Sequence, residues 1–436
     1  MKSSDFEKNI GIETFFTDHV GIGGKLRTSS EDFIVNEIFL YPKKVENGCF
    51  TIAEVSSKNW ETHRLVRELS KRLKISQKRI CFAGTKDKRA CSTQLMSFNN
   101  ALEDELSSIK IKDVALKDIY RSDKPIRLGS LLGNRFEITV RNIEKTMQSE
   151  QIDMIASYLE RHGGFPNFYG VQRFGVIRPI THIVGKHIIH GDFESAVMDY
   201  IANPIEGEDE ETYRLREDLH RSRDFSKALQ SYPDVLNFEK AMLNRLVVSP
   251  DDFVGALQEL PKNLLLMFVN AYQSFLFNKM LSERIQKNIP LNEAVIGDIV
   301  APLRKNAIDD QYIMVTKVNI EKVNKQIIKN KAVVTGLLLG CDSVFSKGEM
   351  GEIEQAVIER GKIDYRDFII PKVPFLSSRG TRRSVLGRIN KIDWKLHKDT
   401  LQSDKQAVTL KFELQKGCYA TSLLREFMKS ENARDY

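Results

Sequence analysis

A single carboxylate, Asp87, stands between two lysines in Phe82-Ala83-Gly84-Thr85-Lys86-Asp87-Lys88-Arg89-Ala90. Residues Lys58 to Arg89 hold 11 Lys/Arg against 3 Asp/Glu, a local balance of +8, in a chain whose total is +7. The remainder is therefore about neutral. A lone acid in a cationic stretch is badly placed to grip a polyanion and well placed to act on one that its neighbours already hold. Nearby cations favour the ionised carboxylate, the form that a nucleophile or general base needs. Aspartate beside glycine and lysine is also an ordinary turn residue. What weighs against that reading here is the basic segment upstream and the apolar segments on both sides. In an extended chain, residues on either side of Asp87 point away from it, so Lys86 and Lys88 are expected to bind phosphate rather than to touch the acid.

Other residues could serve the same chemistry. Gly133-Asn134-Arg135-Phe136 sets an aromatic beside an amide and a guanidinium, a combination suited to a base drawn out of an RNA stack, where stacking is worth roughly 1–3 kcal/mol per base. A core phenylalanine on a strand is the plainer reading. Pro166-Asn167-Phe168-Tyr169-Gly170-Val171-Gln172-Arg173-Phe174-Gly175 is dense in aromatics, amides and glycines. His182, His187 and His190 have no acid or cysteine close enough in sequence to suggest a metal site, and no metal or cofactor is expected. Gly21-Ile22-Gly23-Gly24-Lys25 lacks the spacing of a phosphate loop. A nuclease reading of Asp87 suffers because no second carboxylate lies near it in sequence to hold a metal.

The elements that must position these residues follow from periodicity. Asp32–Glu37 partly alternates and reads as a half-buried strand, with Phe50–Val55 as its expected partner. Thr62 is the expected N-cap of a helix whose apolar face is Leu65, Val66, Leu69 and Leu73. Its other face carries Arg64, Arg67, Lys71, Arg72 and Lys74. Strands are expected at Arg79–Ala83 and Ser92–Phe98, on either side of the Asp87 loop, and at Asn134–Arg141, where the alternation is clean. From Arg178 to about Asp364 the pattern is mostly helical, and acidic Glu206–Asp218 reads as a solvated helix face. Beyond Pro374 the chain is strand-like and basic again, with Arg379, Arg382, Arg383 and Arg388.

At 436 residues two or three domains are expected. Basic, β-rich ends around a helical middle suggest one domain, residues 1–177 with 371–436, interrupted by an insertion at 178–370. Hydrophobic content of 41% and charged content of 29% fit a globular protein. No run of 18 apolar residues suggests a membrane helix, and Met1–Lys8 lacks a signal-peptide core. Cys49, Cys81, Cys91, Cys341 and Cys418 are scattered, as in a protein of the reducing cytoplasm.

Taken in order, these segments resemble the TruD family of pseudouridine synthases. Glu31-Asp32-Phe33-Ile34-Val35-Asn36-Glu37 is similar to the first motif, with Arg27 at its basic position, where the family pattern has lysine. Phe82–Ala90 resembles the catalytic motif, whose aspartate falls on Asp87; Ser92 stands where threonine is expected. Gly133–Phe136, Pro166–Gly175, Ala271-Tyr272-Gln273-Ser274-Phe275-Leu276-Phe277-Asn278 and Gly417–Glu426 resemble four further blocks.

The resemblance implies an α+β fold: a pseudouridine-synthase catalytic domain with a mixed, mainly antiparallel sheet, split by an α/β insertion (the TRUD domain) at about 167–386. It also implies isomerisation of uridine to pseudouridine, typically at position 13 of tRNA, without metal or cofactor; independently of the resemblance, a monomer is expected. By the same resemblance Asp87 is the nucleophile or base and Arg27 pairs with it. Asn134 holds the loop or the uracil edge, and Phe136 stacks on the flipped base. Lys86, Lys88, Arg89, Arg64, Arg67, Lys71, Arg173, Arg382 and Arg383 bind RNA. A non-catalytic RNA-binding or tRNA-chaperoning protein with the same basic surfaces is the rival reading.

Overall fold

The structure is a computed structural model that describes residues 3–304, 307–389, 391–432 and 435–436. The first two residues of the N-terminal stretch read for a signal peptide, Met1 and Lys2, lie outside the described residues. The chain forms two compact units. One comprises Thr17–Phe165, Gly387–Ser430 and Asp435–Tyr436, and the other is built on Pro166–Leu386 together with the N-terminal segment up to Phe16. The second unit is wider than the 178–370 suggested by composition. Residues up to Phe16 join it, which nothing in the sequence signalled.

The first unit is an eight-stranded sheet. Its strands are β1 (Phe33–Phe39), β2 (Phe50–Lys58), β3 (Ile80–Phe82), β4 (Cys91–Asn99), β5 (Val114–Ser122), β6 (Leu131–Ile143), β7 (Ile392–Lys398) and β8 (Gln406–Gln415). They lie in the order β7-β8-β6-β1-β4-β2-β5, with β3 paired to β4. All pairings are antiparallel except β1 with β4. The expected pairing of β1 with β2 is therefore corrected: β4, on the far side of the Asp87 loop, slots between them. Alternation fixes which face of a strand is buried but not which strand lies alongside.

The helix Thr62–Leu73 lays Leu65, Val66 and Leu69 against Ala53, Val55, Met96 and Phe98. Burying each of these leucines contributes roughly 1.5–3 kcal/mol. Arg64, Arg67 and Lys71 face solvent. Glu61, not Thr62, caps this helix, its carboxylate accepting from His63 N and Arg64 N; Thr62 is left with its hydroxyl available for another partner.

The second unit packs helices around Lys262–Gln286, which is buried on most sides, as an apolar helix in the middle of a core must be. A small antiparallel sheet sets Ile299–Arg304 between Ile313–Met314 and Ala332–Leu338, with Thr381–Ser384 outermost. Two arginines are locked inside. Arg284 grips both carboxylate oxygens of Asp298 at 2.6 and 2.8 Å. Arg216 bonds Glu239 at 2.8 Å and Glu208 at 3.1 Å. The acidic 206–218 stretch is therefore only partly a solvated face, because a buried guanidinium draws Glu208 inward.

His182, in the helix Thr181–Ile189, is buried between Phe174 and Phe275. Burial holds its imidazole down at about 4, against an ordinary 6.5. The folded form thus binds fewer protons than the unfolded one between these values. This contribution to stability is complete above pH 6.5 and is lost as pH falls through 4, by ~3 kcal/mol at most. Thermal melts of the native chain and of His182→Phe should differ in slope over that window, the variant losing less on acidification; identical slopes would count against the assignment.

Candidate active site

The Asp87 loop, between β3 and β4, is fastened at several points. Thr62 Oγ1 accepts from Lys86 N at 2.7 Å, Gly129 N donates to Ala83 O at 2.8 Å and Asn59 N donates to Ala90 O at 3.1 Å. Deeper, Lys86 Nζ meets Glu37 Oε1 at 2.5 Å, and the pair is buried, with side chains 7% and 0% exposed. The other Glu37 oxygen accepts from Leu95 N at 3.2 Å. Lys86 therefore points into the sheet. This corrects its expected role: it holds the loop and does not present its charge to RNA.

With Lys86 directed inward, Asp87 faces outward. Its side chain is 55% exposed, and Oδ2 receives Arg27 Nη2 at 2.7 Å. Arg27 comes from a segment threaded against the sheet unit's own framework: Ile22 N donates to Phe427 O, and Lys25 pairs through its backbone with Arg141 on β6. Arg27 itself has φ +55, a left-handed turn that aims its side chain at the loop. Burial lowers the guanidinium's affinity for its proton, Asp87 opposes that effect, and nearby Arg89 adds to it. The guanidinium also lies over the Phe33 ring, 4.3 Å from its centroid.

The same face of the sheet carries the other expected residues. Across β1 and β6, Phe33 is opposite Ile138, Val35 opposite Phe136, and Glu37 opposite Asn134. Asn134 Oδ1 is buried and has no hydrogen-bond partner among the described residues, an arrangement that leaves an acceptor waiting for a donor. Phe136 stacks on Phe412 at 5.3 Å and meets Phe33 edge-on at 6.3 Å. It is 7% exposed. This corrects the picture of an open stacking ring: for a base to reach Phe136, a neighbour must first move aside.

The cations divide in two. Lys88 and Arg89 beside Asp87, and Arg64, Arg67 and Lys71 on the helix, are exposed; Arg64 lies 4.9 Å over Trp60. Arg173, Arg382 and Arg383 belong to the inserted unit. Arg382 is 5% exposed and bonds Thr335, the Val344 carbonyl, Ser346 and Glu354. It is a core strut, which corrects its expected role in holding RNA. Arg383 covers Tyr169 at 4.2 Å and bonds Asn167 Oδ1 at 2.7 Å, and Arg173 Nε reaches Ser274 Oγ at 3.3 Å. The aromatic and amide density of 166–175 is thus largely packing within that unit. His187, for which no acidic partner was expected, lies 3.4 Å from Asp192 and 3.2 Å from Asp199.

Glu37 and Thr62 were missed as parts of the site. Glu37 had a readable signal: it continues the inward-facing series Phe33, Val35 on β1, and a charge at an inward position needs a partner.

A mainly antiparallel sheet with helices and an inserted unit thus carries one loop-borne aspartate held by arginine, the arrangement that the resemblance to pseudouridine synthases implies. Comparison with known proteins agrees. The family model for tRNA pseudouridine synthase D (TruD) matches residues 9–427. A relative from Methanococcoides burtonii, named "Probable tRNA pseudouridine synthase D", is 44% identical, covering 98% of this chain and 97% of its own. One of the same name from Thermococcus sibiricus is 34% identical over 98% and 99%. A crystal structure of a Methanosarcina mazei protein, described as the "Putative tRNA pseudouridine synthase D (TruD)", aligns at TM-score 0.90 and 41% identity, with both chains fully covered. The chain belongs to the TruD family.

The buried Lys86–Glu37 pair makes a clear demand on stability. Removing one partner from such a pair costs ~3–5 kcal/mol, so Lys86→Met and Glu37→Gln should each unfold at markedly lower urea, and the double variant Glu37→Leu/Lys86→Met should recover part of the loss. Asp87→Asn, at a half-exposed position, should shift the midpoint by no more than about 1 kcal/mol. Equal losses for all three single variants would contradict the division of labour between Lys86 and Asp87.

Proposed function

We propose that the chain isomerises uridine to pseudouridine in tRNA, at position 13, with Asp87 as its catalytic carboxylate. Family membership supports the isomerase activity and the tRNA substrate. The observation that carries the residue assignment is the outward-facing Asp87 carboxylate, held at 2.7 Å by Arg27 on a loop that Lys86 and Glu37 fix to the sheet.

The reaction breaks the N1–C1′ bond of uridine, turns the uracil, forms a C5–C1′ bond and returns the C5 proton to N1, which leaves atoms and electrons unchanged overall. No redox equivalent or energy source is consumed. The requirements are an extruded base, a carboxylate to attack the ribose or take its proton, and a pocket that retains the free uracil. Arg27 keeps Asp87 oriented. Asn134 Oδ1, buried without a partner among the described residues, is suited to accept an N–H from the uracil edge. Phe136 and Phe412 form the apolar floor under Phe33 and Arg27. Lys88, Arg89 and the helix cations Arg64, Arg67 and Lys71 hold phosphates.

Asp87→Asn should abolish pseudouridine formation while leaving tRNA affinity within a few fold, as read by carbodiimide primer extension and filter binding. Wild-type conversion by that variant would remove Asp87 from the mechanism, and binding without any modification by the native chain would favour an RNA-binding or chaperone role. Mapping of total tRNA with and without the protein tests position 13. Replacing Arg64, Arg67 and Lys71 by glutamine should weaken tRNA binding and flatten its salt dependence, the slope falling by about 0.7–0.9 for each phosphate that is no longer neutralised; an unchanged slope would take the helix out of the RNA surface.

A further inference from the structure

The inserted unit encloses a cavity of about 480 Å³ that the reaction described above does not use. Its walls come from the helices Thr181–Ile189, Lys262–Gln286 and Gly348–Gly361 and from the N-terminal segment at Asn9 and Glu13. All of these belong to one unit.

One wall is a column of rings. His182 stacks on Phe275 at 5.0 Å, and Phe275 lies nearly parallel to Tyr272 at 6.0 Å. One of these rings, His182, brings a buried polar atom that the protein leaves unsatisfied, and Tyr272 brings a hydroxyl. His182 is 6% exposed, and its Nδ1 has no hydrogen-bond partner among the described residues. Tyr272 is 2% exposed, and its hydroxyl makes no hydrogen bond among the described residues; burial, with a smaller push from the Asp367 carboxylate, moves its phenol strongly upward. Buried polar atoms without partners are rare in proteins, because each has given up its bonds to water for nothing in return. One such atom, with an unpaired hydroxyl in the same wall, marks a place where something else supplies the bonds.

The state of the imidazole says what kind of group that is. Burial keeps His182 neutral, and it faces the Asn9 carbonyl. A neutral ring that donates from one nitrogen accepts at the other. The missing partner of Nδ1 is therefore an N–H or O–H donor.

Charge narrows the class further. Among the lining residues, Lys279 is paired with Glu13 and Arg360 with Glu283. Lys186 has no ion pair among the described residues, so one positive charge is left over. The cavity therefore suits a ligand with a flat, N–H-bearing ring at one end and an anionic group at the other. We propose that it is a binding site for a nucleoside monophosphate, with the base beside the His182–Phe275–Tyr272 wall and the phosphate at Lys186. The same chemistry is offered by a free mononucleotide and by a nucleotide within an RNA strand.

The test is calorimetric titration of the full chain with 5′-AMP, GMP, UMP and CMP, and with adenosine. At least one mononucleotide should bind more tightly than its nucleoside. Lys186→Gln should weaken that mononucleotide about tenfold, the loss of one charge-assisted bond, and should leave adenosine unaffected. Tyr272→Phe should weaken both ligands several-fold, and Asp87→Asn should change neither, which separates this cavity from the active site. Saturating tRNA distinguishes the sources: displacement of the mononucleotide assigns the cavity to a nucleotide of RNA, and simultaneous binding assigns it to a free one. The proposal is overturned if none of the four binds at about 5 mM, where even a millimolar site would be mostly filled. It is also overturned if binding ignores Lys186→Gln and Tyr272→Phe, or disappears in Asp87→Asn.

Discussion

The Asp87 loop depends on one buried ion pair. Taking Lys86 and Glu37 out of water costs several kcal/mol for each charge, and their attraction offsets that cost only when geometry is close and the remaining lone pairs are satisfied. Both conditions hold: the separation is 2.5 Å, and the second Glu37 oxygen accepts a backbone N–H from β4. The consequence reaches one residue further along the chain. With Lys86 anchored downward, its neighbour is obliged to project the other way, and Asp87 emerges as an accessible carboxylate on a loop that cannot swing freely. Arg27, itself fixed by a left-handed turn, then determines where that carboxylate points.

This arrangement separates the side chain that holds the loop from the one that the loop presents. The lysine that precedes the acid serves structure, whereas the lysine and arginine that follow it remain in solvent. A similar separation recurs in the inserted unit. Arg382 satisfies five acceptor atoms on four residues at once, which suits a rigid, planar, five-donor fork better than any lysine, and Arg216 and Arg284 are also buried with several acceptors each. Basic residues in this chain are therefore of two kinds, alike in sequence and different in duty. Only burial tells them apart.

Polar residues inside the long helix Lys262–Gln286 show the same pattern. Asn278, fully buried, bonds the Tyr169 backbone in both directions and the Ile10 carbonyl. Gln273 bonds the Leu339 carbonyl and Ser378. These side chains gather the N-terminal segment, the 166–175 block and the small sheet onto one helix. The amide-rich motifs near them are legible as motifs, yet their purpose is to satisfy a backbone that would otherwise be stranded.

The sequence by itself determined the class of fold, the position of the acid and most of the elements around it. Those properties rest on local periodicity and on motif order, and local pattern is written along the chain. The strand at 131–143 extends the expected one by a few residues at each end, and the strand at 33–39 starts one residue later than expected and runs two further. The sequence could not say that β4 lies between β1 and β2, that Lys86 turns inward, that Phe136 is an interior ring, or that Arg382 is a strut. Each of these is a pairing between groups distant in the chain: Glu37 with Lys86, Phe136 with Phe412, Arg382 with Glu354. A charge or a ring has no fixed role until its partner is known, and the tertiary structure alone supplies the partner.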